Sequence, residues 1–522
     1  MDGPTPAEDE NLWTVHGRKF DLTDFIKRHP GGPHSINLGR GRDATHLVDA
    51  YHPHSDKVWE VIMKYEVPAS KKAHDAAVAA GERAAAWPPR DPFYEDCKKE
   101  VRKMFPGGAA AAKATWEPFL LLGLLGTPAV YGLLWHAANS GSCLAAFASG
   151  VLFVVVNARL LHEAGHFGLS TNWMVNRAIC LFWAVPTLCA TSWDLQHVLS
   201  HHQYTNSLPA DLPEPERELS SGGESEEGLS SDGASDSDGE GAKAKAKSSS
   251  SSSFSSSDGK KAAAAKAAAA KAAAVLPAQE QSVPYDIDSS SFDGLAEVSK
   301  SFPAWSWPLV LLVGIPIIWA KSPLTIGSGY ALEILTEGRV EQQQMRPFTR
   351  TLDAGVTLLA QAAILTYMTC TIGFLSAVAV WMSYLFGNGM IFITFSQVSH
   401  IPDMVRKWRP TVPEFEKRGW AASQVEHSMN FAMASKFAFY ISFGLNFQIE
   451  HHLFPSVSHD HLPKLSAAIR KVCAKHGVRY WAEPSMPRAL KILWDSLVDM
   501  RGVPTSKEGQ EALKAAAAKR VN

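Results

Sequence analysis

The sequence predicts two unlike folds in series. A small α+β domain comes first, followed by an all-α integral-membrane domain with about four transmembrane helices. Three observations lead there. Short β-forming runs turn on a glycine at the start of the chain. Four nearly charge-free apolar runs follow, each of about the ~20 residues that a bilayer core requires. Histidines gather where those runs end. A large soluble protein also buries apolar helices, but four runs so free of charge favour the bilayer.

Composition narrows the function. The formal net charge is −2 over 522 residues, and no basic cluster offers a nucleic-acid footprint. Mean hydropathy is near neutral because long apolar runs and very polar tracts offset one another. Six cysteines stand far apart with no CxxC pair, which suits a reducing compartment. Residues 1–11 are acidic and polar, unlike a signal or transit peptide, so the endoplasmic reticulum membrane is expected, with a plastid membrane as the alternative.

The α+β domain occupies residues 8–69. Leu12 to Leu22 reads as two strands turning at Gly17, and Thr23 offers an N-cap to a short helix through Lys27. His29-Pro30-Gly31-Gly32 ends that helix, because Pro30 cannot continue it and the glycines let the chain turn closely past a flat ligand. Gly41 to Thr45 leads a second helix that ends at Tyr51-His52-Pro53, with His54 close behind. Two histidines thus each follow a helix and precede a proline. Taken alone, they would be ordinary turn residues.

Residues 70–115 form a linker. Its first part is rich in Ala, Lys and Glu and suits a solvated helix, while Asp91 to Phe105 mixes aromatics with charge and suits a helix on the membrane surface. Residues 116–210 and 282–500 carry the membrane domain. The expected spans are Pro118 to His136, Cys143 to Leu161, Leu352 to Thr369 and Ile372 to Phe395. Ala178 to Ala190 and Pro308 to Ala320 are shorter, are broken by Pro186 or Pro316, and read as interfacial or re-entrant pieces.

Three clusters carry the chemistry. His162-Glu163-Ala164-Gly165-His166 follows the second span, and residues i and i+4 face one side of a helix, so both imidazoles can meet one metal. His197, His201 and His202 form the next cluster, again with i and i+4 sharing a face and i+5 beside them. Gln448-Ile449-Glu450-His451-His452 is the third. The first also fits the HExxH pattern of zinc proteases, with Glu163 as base. Together the clusters use seven of the chain's twenty histidines, more than a single zinc needs, which points to two metals. Iron suits oxygen chemistry in such sites. His400 follows the fourth span, where an unpartnered histidine would be expensive, and joins the metal set. Gln448 either ligates or holds a water, and Gln397 or Glu450 could orient ligands.

The HxxxH, HxxxHH and QxxHH boxes around two membrane hairpins, behind an HPGG-bearing α+β domain, resemble the cytochrome b5-fused front-end fatty acyl desaturases. The resemblance covers nearly the whole chain except one insert and the far C-terminus. It implies that residues 8–69 are a cytochrome b5-like haem domain with His29 and His52 as axial ligands, His54 being the reserve for the second. Bis-histidine ligation leaves no open iron position, so this haem would carry electrons. It further implies two iron ions held by His162, His166, His197, His201, His202, His400, His451 and His452, with Gln448 in the catalytic set. The expected reaction uses O2 and electrons from a pyridine-nucleotide-dependent cytochrome b5 reductase. It places a cis double bond between an existing one and the carboxyl end of a polyunsaturated chain carried by a lipid or thioester. The catalytic face would be cytosolic.

Four other readings stay open. A sphingolipid long-chain-base desaturase shares the haem domain and QxxHH, and an acyl hydroxylase uses the same irons. A membrane metalloprotease accounts only for His162, Glu163 and His166. A membrane-anchored electron carrier accounts only for His29 and His52.

One stretch departs from the family. Residues 211–281 are an insert of low complexity: Asp211 to Glu240 holds eleven acidic residues against Arg217 alone, followed by Ser-rich and Ala/Lys-rich tracts. The acidic and Ser-rich parts cannot bury enough apolar surface to fold, and a tolerated surface expansion is preferred over a regulatory tether. Past the third box, His459 and His461 read as surface or supporting groups, Leu465 to His476 as an amphipathic helix, and 501–522 as a polar tail.

Overall fold

A computed structural model describes residues 11–81, 86–184, 190–207, 347–402, 405, 410 and 412–502. The insert, the stretch Pro308 to Ala320 and residues 503–522 lie outside the described residues.

Strands β1 (Trp13–Val15) and β2 (Arg18–Phe20) pair antiparallel with Trp13 opposite Phe20, and the turn between them puts Gly17 at φ 69°. Alternation sends Trp13, Val15 and Phe20 inward, where they pack with Leu22, Ile36, Trp59 and Ile62. Thr23 does not cap a helix as expected. Residues Thr23–Arg28 form a 3-10 helix with Leu22 at its N-cap, so Thr23 is already inside it, and its N–H donates to the Asp21 carboxylate two residues earlier at 3.1 Å. His29 is extended (ψ 125°), as the residue before a proline must be, and helix α1 (Gly32–Asn37) starts immediately after Gly31. Helix α2 (Thr45–Tyr51) starts where Asp43 accepts the Thr45 N–H at 2.8 Å and delivers Tyr51 and His52 at its end. Helix α3 (Lys57–Ile62) closes this small core.

Helix α4 (Pro68–Ala79) buries only His74, as a solvated connector should. Helix α5 (Pro92–Met104) is capped by the Asp91 carboxylate, which accepts the Phe93 N–H at 2.9 Å. Its apolar face does not lie on a membrane surface as expected: Phe93, Cys97 and Val101 share a core with Leu465, Ile469 and Cys473 of the helix Leu462–His476. That stripe finds a protein partner, so it has none to give to lipid.

Among the described residues, four helices are long and apolar enough to cross a membrane: Leu121–Ser140, Cys143–Gly165, Gly355–Ile372 and Phe374–Gln397. They leave Leu124, Trp135, Leu144, Leu359 and Leu375 exposed, the side chains a hydrocarbon solvent would take. The second and fourth spans meet backbone to backbone. A Cβ on Gly150 would collide with the Tyr384 carbonyl, and one on Gly387 with the Phe147 carbonyl. Small residues permit such close approach where no hydrophobic force drives helices together. The shorter apolar helix Trp173–Ala184 covers the first part of the expected interfacial piece and exposes Met174, Leu181 and Phe182.

Over the ends of these spans sits a cap built from the helices Trp420–Glu426, Gln448–Leu453 and Leu462–His476, with a short parallel pair, Met429–Phe431 beside Trp481–Glu483. The amphipathic helix expected from Leu465 starts one turn earlier at Leu462 and stops at Gly477, whose φ of 65° few other residues accept. His459 is not on the surface. It is buried at 1% exposure, and its Nδ1 lies 2.8 Å from the Phe443 carbonyl.

Candidate metal and haem sites

The second span continues without a break to Gly165, so His162 and Glu163 ride on its last turn and His166 follows directly. The i, i+4 spacing works as expected, with the His162 and His166 rings 4.8 Å apart. The second box behaves differently. Residues Asp194–His201 form a π-helical turn in which the His202 N–H donates to the His197 carbonyl, five residues back, at 3.0 Å. Five-residue pairing aligns His197 with His202, and their Nε2 atoms lie 3.0 Å apart. His201, stacked on His197 at 5.3 Å, brings its ligand nitrogen to His400 and His452 instead.

The histidines therefore sort into two groups, each with ligand nitrogens within 4.8 Å of one another: His162, His166, His197, His202 and His451 in one, His201, His400 and His452 in the other. In the first, Nε2 of His162 and His197 are 3.1 Å apart, as are those of His202 and His451. In the second, the Gln448 amide nitrogen lies 2.9 Å from Nε2 of both His400 and His452. All eight histidines of the expected set come together, and Gln448 with them.

These donors fit metal ions. Burial holds His166, His202, His451 and His452 well below the ordinary imidazole pKa, so they are neutral and keep a lone pair. Basic nitrogens face each other at hydrogen-bond distance, and His166 Nε2 and Gln448 Oε1 are buried without a hydrogen-bond partner. A cation shared by each group resolves both features. The nitrogen-rich donor set suits iron, zinc or copper.

The residues that orient these ligands are mostly ones the sequence did not single out. Nδ1 of His452 meets Thr205 Oγ1 at 2.8 Å and Gln424 Oε1 at 2.9 Å, and the Thr205 hydroxyl lies 2.7 Å from that same amide oxygen. The Gln424 amide nitrogen donates to the His202 carbonyl at 2.9 Å. His400 Nδ1 faces the His427 carbonyl at 3.3 Å. Thr205 lies one turn past His201, a spacing that could have revealed it. Gln424 lies 28 residues before His452 and 222 after His202, with no helical spacing to either, and gave no such signal. The two expected orienters turn elsewhere. Glu450 accepts from Asn430 and Tyr480, each at 2.8 Å, and burial raises its carboxyl to about 7; Gln397 donates to Ser396 at 3.3 Å.

Glu163 is committed as well. Its carboxylate receives Arg159 at 3.3 Å, Ser458 at 3.2 Å and the His459 N–H at 3.1 Å, while Arg159 also pairs with Asp460. A carboxylate so engaged is a structural anchor, not the free base that the HExxH protease reading needs.

In the N-terminal domain, His29 and His52 face one another with ring centroids 6.2 Å apart. That spacing matches two metal–nitrogen bonds of ~2 Å plus the two ring radii. Nδ1 of His52 is held by the Val48 carbonyl at 2.9 Å and that of His29 by Ser35 at 3.2 Å, which leaves Nε2 of each for a ligand. Both rings line a cavity of ≈ 370 Å³ with apolar walls from Trp13, Leu22, Phe25 and Ile62, so a flat apolar group with two axial nitrogens fits. His54 packs on Phe105 at 6.0 Å, away from that cavity. Lys113 at the end of the linker and Phe167 and Trp173 of the following domain also line the cavity.

Comparison with known proteins agrees with both halves. Residues 111–227 and 282–484 match the family model described as fatty acid desaturase, and residues 6–69 match that of the cytochrome b5-like heme/steroid binding domain. Among curated relatives, an acyl-lipid omega-13 desaturase of Chlamydomonas reinhardtii is 27% identical over 94% of this chain and 95% of its own. An acyl-lipid (8-3)-desaturase B of Dictyostelium discoideum is 22% identical over 92% and 89%. An acyl-lipid (8-3)-desaturase of Physcomitrium patens is 26% identical over 93% and 87%.

Proposed function

This chain belongs to the fatty acid desaturase family, and we propose that it is a front-end acyl desaturase, adding a cis double bond between an existing one and the carboxyl end of a polyunsaturated chain. One observation carries the reading: histidines from three distant boxes, with His400, divide into a group of five and a group of three in one buried chamber over the span ends. A fused bis-histidine cavity belongs with an enzyme that must be fed electrons singly. The names of the relatives favour an acyl chain carried on a lipid.

His162, His166, His197, His202 and His451 would hold one iron, and His201, His400 and His452, with Gln448 beside them, the other. When bound, the irons supply the activation of dioxygen that removes two hydrogens from adjacent methylenes. The chain's own part is to fix and shelter the ligands. Thr205 and Gln424 hold His452 in one orientation, and Arg159, Glu163 and Asp460 brace the turn that carries His162. The exclusion of water around the buried imidazoles keeps them neutral. His29 and His52 would bind haem b, reduced by a pyridine-nucleotide-dependent b5 reductase at the cytosolic face of the endoplasmic reticulum.

Expression in a host fed defined polyunsaturated acids, followed by lipid analysis, tests the reading. A new double bond in an acyl chain is the expected result. A change confined to long-chain bases would favour a sphingolipid desaturase, a hydroxylated product would favour the hydroxylase, and metal analysis finding one zinc with no iron would overturn all three.

A further inference from the structure

The side chain of Tyr51 lines the haem cavity and also reaches a histidine of the metal chamber. Tyr51, the last residue of α2, precedes His52 in the chain, and its phenol oxygen lies 2.7 Å from Nδ1 of His166. With Nε2 of His166 as ligand atom, Nδ1 carries the proton and donates it to that oxygen. The ring is seated between the two domains, stacked on His166 at 6.3 Å and edge-on to Phe167 at 6.1 Å. The same interface is fastened on either side. His34 meets Asp194 at 2.9 Å, and His46 stacks on Trp420 at 5.5 Å.

We propose that Tyr51 is the positioning residue that couples the haem site to the metal site, completing a bonded path of His52, one peptide unit, the Tyr51 side chain and a single hydrogen bond to His166. The inference rests on the desaturase reading above. Electronic coupling decays more slowly along bonds and hydrogen bonds than across open gaps, and this path contains no gap. Two electrons cross it per turnover, one at a time, each leaving a ferrous haem that becomes ferric. With two protons and the two hydrogens taken from the acyl chain, they reduce one dioxygen to two waters. The hydrogen bond has a second effect, fixing the plane of the His166 ring so that Nε2 points into the cluster.

The test is Tyr51→Phe in the full-length, haem- and iron-loaded protein. Phenylalanine keeps the ring between His166 and Phe167 and removes only the oxygen. Stopped-flow reoxidation of the reduced haem, in air with a polyunsaturated acyl-lipid, should slow at least about tenfold, the scale of losing an outer-shell partner of a ligating histidine. Haem absorbance, midpoint potential and reduction by the reductase should match the parent, and reoxidation is compared per bound iron. Tyr51→Leu, which also removes the ring, should slow reoxidation further. Parent-like reoxidation in Tyr51→Phe overturns the inference, and so does slow reoxidation that merely follows lost iron. A parent protein lacking haem or iron would instead overturn the proposed function, so the two failures are distinct.

Discussion

Gln424 holds His452 from a helix that carries no metal ligand: its Oε1 lies 2.9 Å from Nδ1 of the histidine, while its amide nitrogen donates to the carbonyl of His202 at 2.9 Å. One amide thus fixes a ligand of each group. Gln424→Ala is expected to lower iron content and desaturation by about 10–100-fold, the range seen for outer-shell partners of metal-bound histidine. Metal analysis and product yield on the same preparation measure it, and parent-like values for both would remove Gln424 from the site.

The division into two groups makes a prediction about stoichiometry. His400→Ala should empty the three-histidine group and leave the five-histidine group loaded, halving the bound iron while abolishing product. His197→Ala should spare the other half. Loss of all iron in either variant would mean that the eight histidines bind as a single cooperative unit.

Legibility from sequence followed the range of each physical signal. The four spans and the His162–His166 pair rest on local rules, apolar length and helical spacing, and both appear where those rules put them. His201 shows where the rules stop. An i, i+4 partnership with His197 presumes α-helical hydrogen bonding, whereas the π turn pairs His197 with His202 and releases His201 to His400 and His452. Nothing in the apolar pattern announces a π turn. His459 reads in the sequence as a surface or supporting group, and only the distant segment at Phe443 and Gly444, which buries it, decides for the second. Tyr51 and Gln424 act across domain and helix boundaries that no single-chain pattern spans.

The glycine contact between the second and fourth spans predicts an asymmetry. Gly387→Ala or Gly150→Ala should destabilise the detergent-purified protein by about 1–3 kcal/mol, the usual cost of overpacking, because the added methyl meets backbone that cannot yield. Gly355→Ala, whose methyl would meet nothing within 4 Å, should be neutral or slightly stabilising. Equal thermal stability across all three would refute the close contact.

Glu450 gives a pH signature. Burial raises its carboxyl from 4.5 to about 7, with Asn430 and Tyr480 as its hydrogen-bond donors. Folded protein keeps this proton through a range where the unfolded chain has lost it. Its contribution to stability is therefore full below 4.5 and is lost as pH rises through about 7. Glu450→Gln, neutral at every pH, should gain in relative melting temperature between pH 4.5 and pH 7 and then level off. A difference that stays constant across that range would place the charge elsewhere.

The contact at Gly150 and Gly387 also bears on how the enzyme lives in its lipid. The second span ends in His162 and the fourth leads to His400, so each of the two interlocked helices steers one histidine group. A helix answers a thicker or thinner bilayer by tilting. Fastened at their middles, these two can tilt only as a pair. A change in bilayer thickness is then expected to rock the whole chamber as one body and to leave the separation of its halves unaltered.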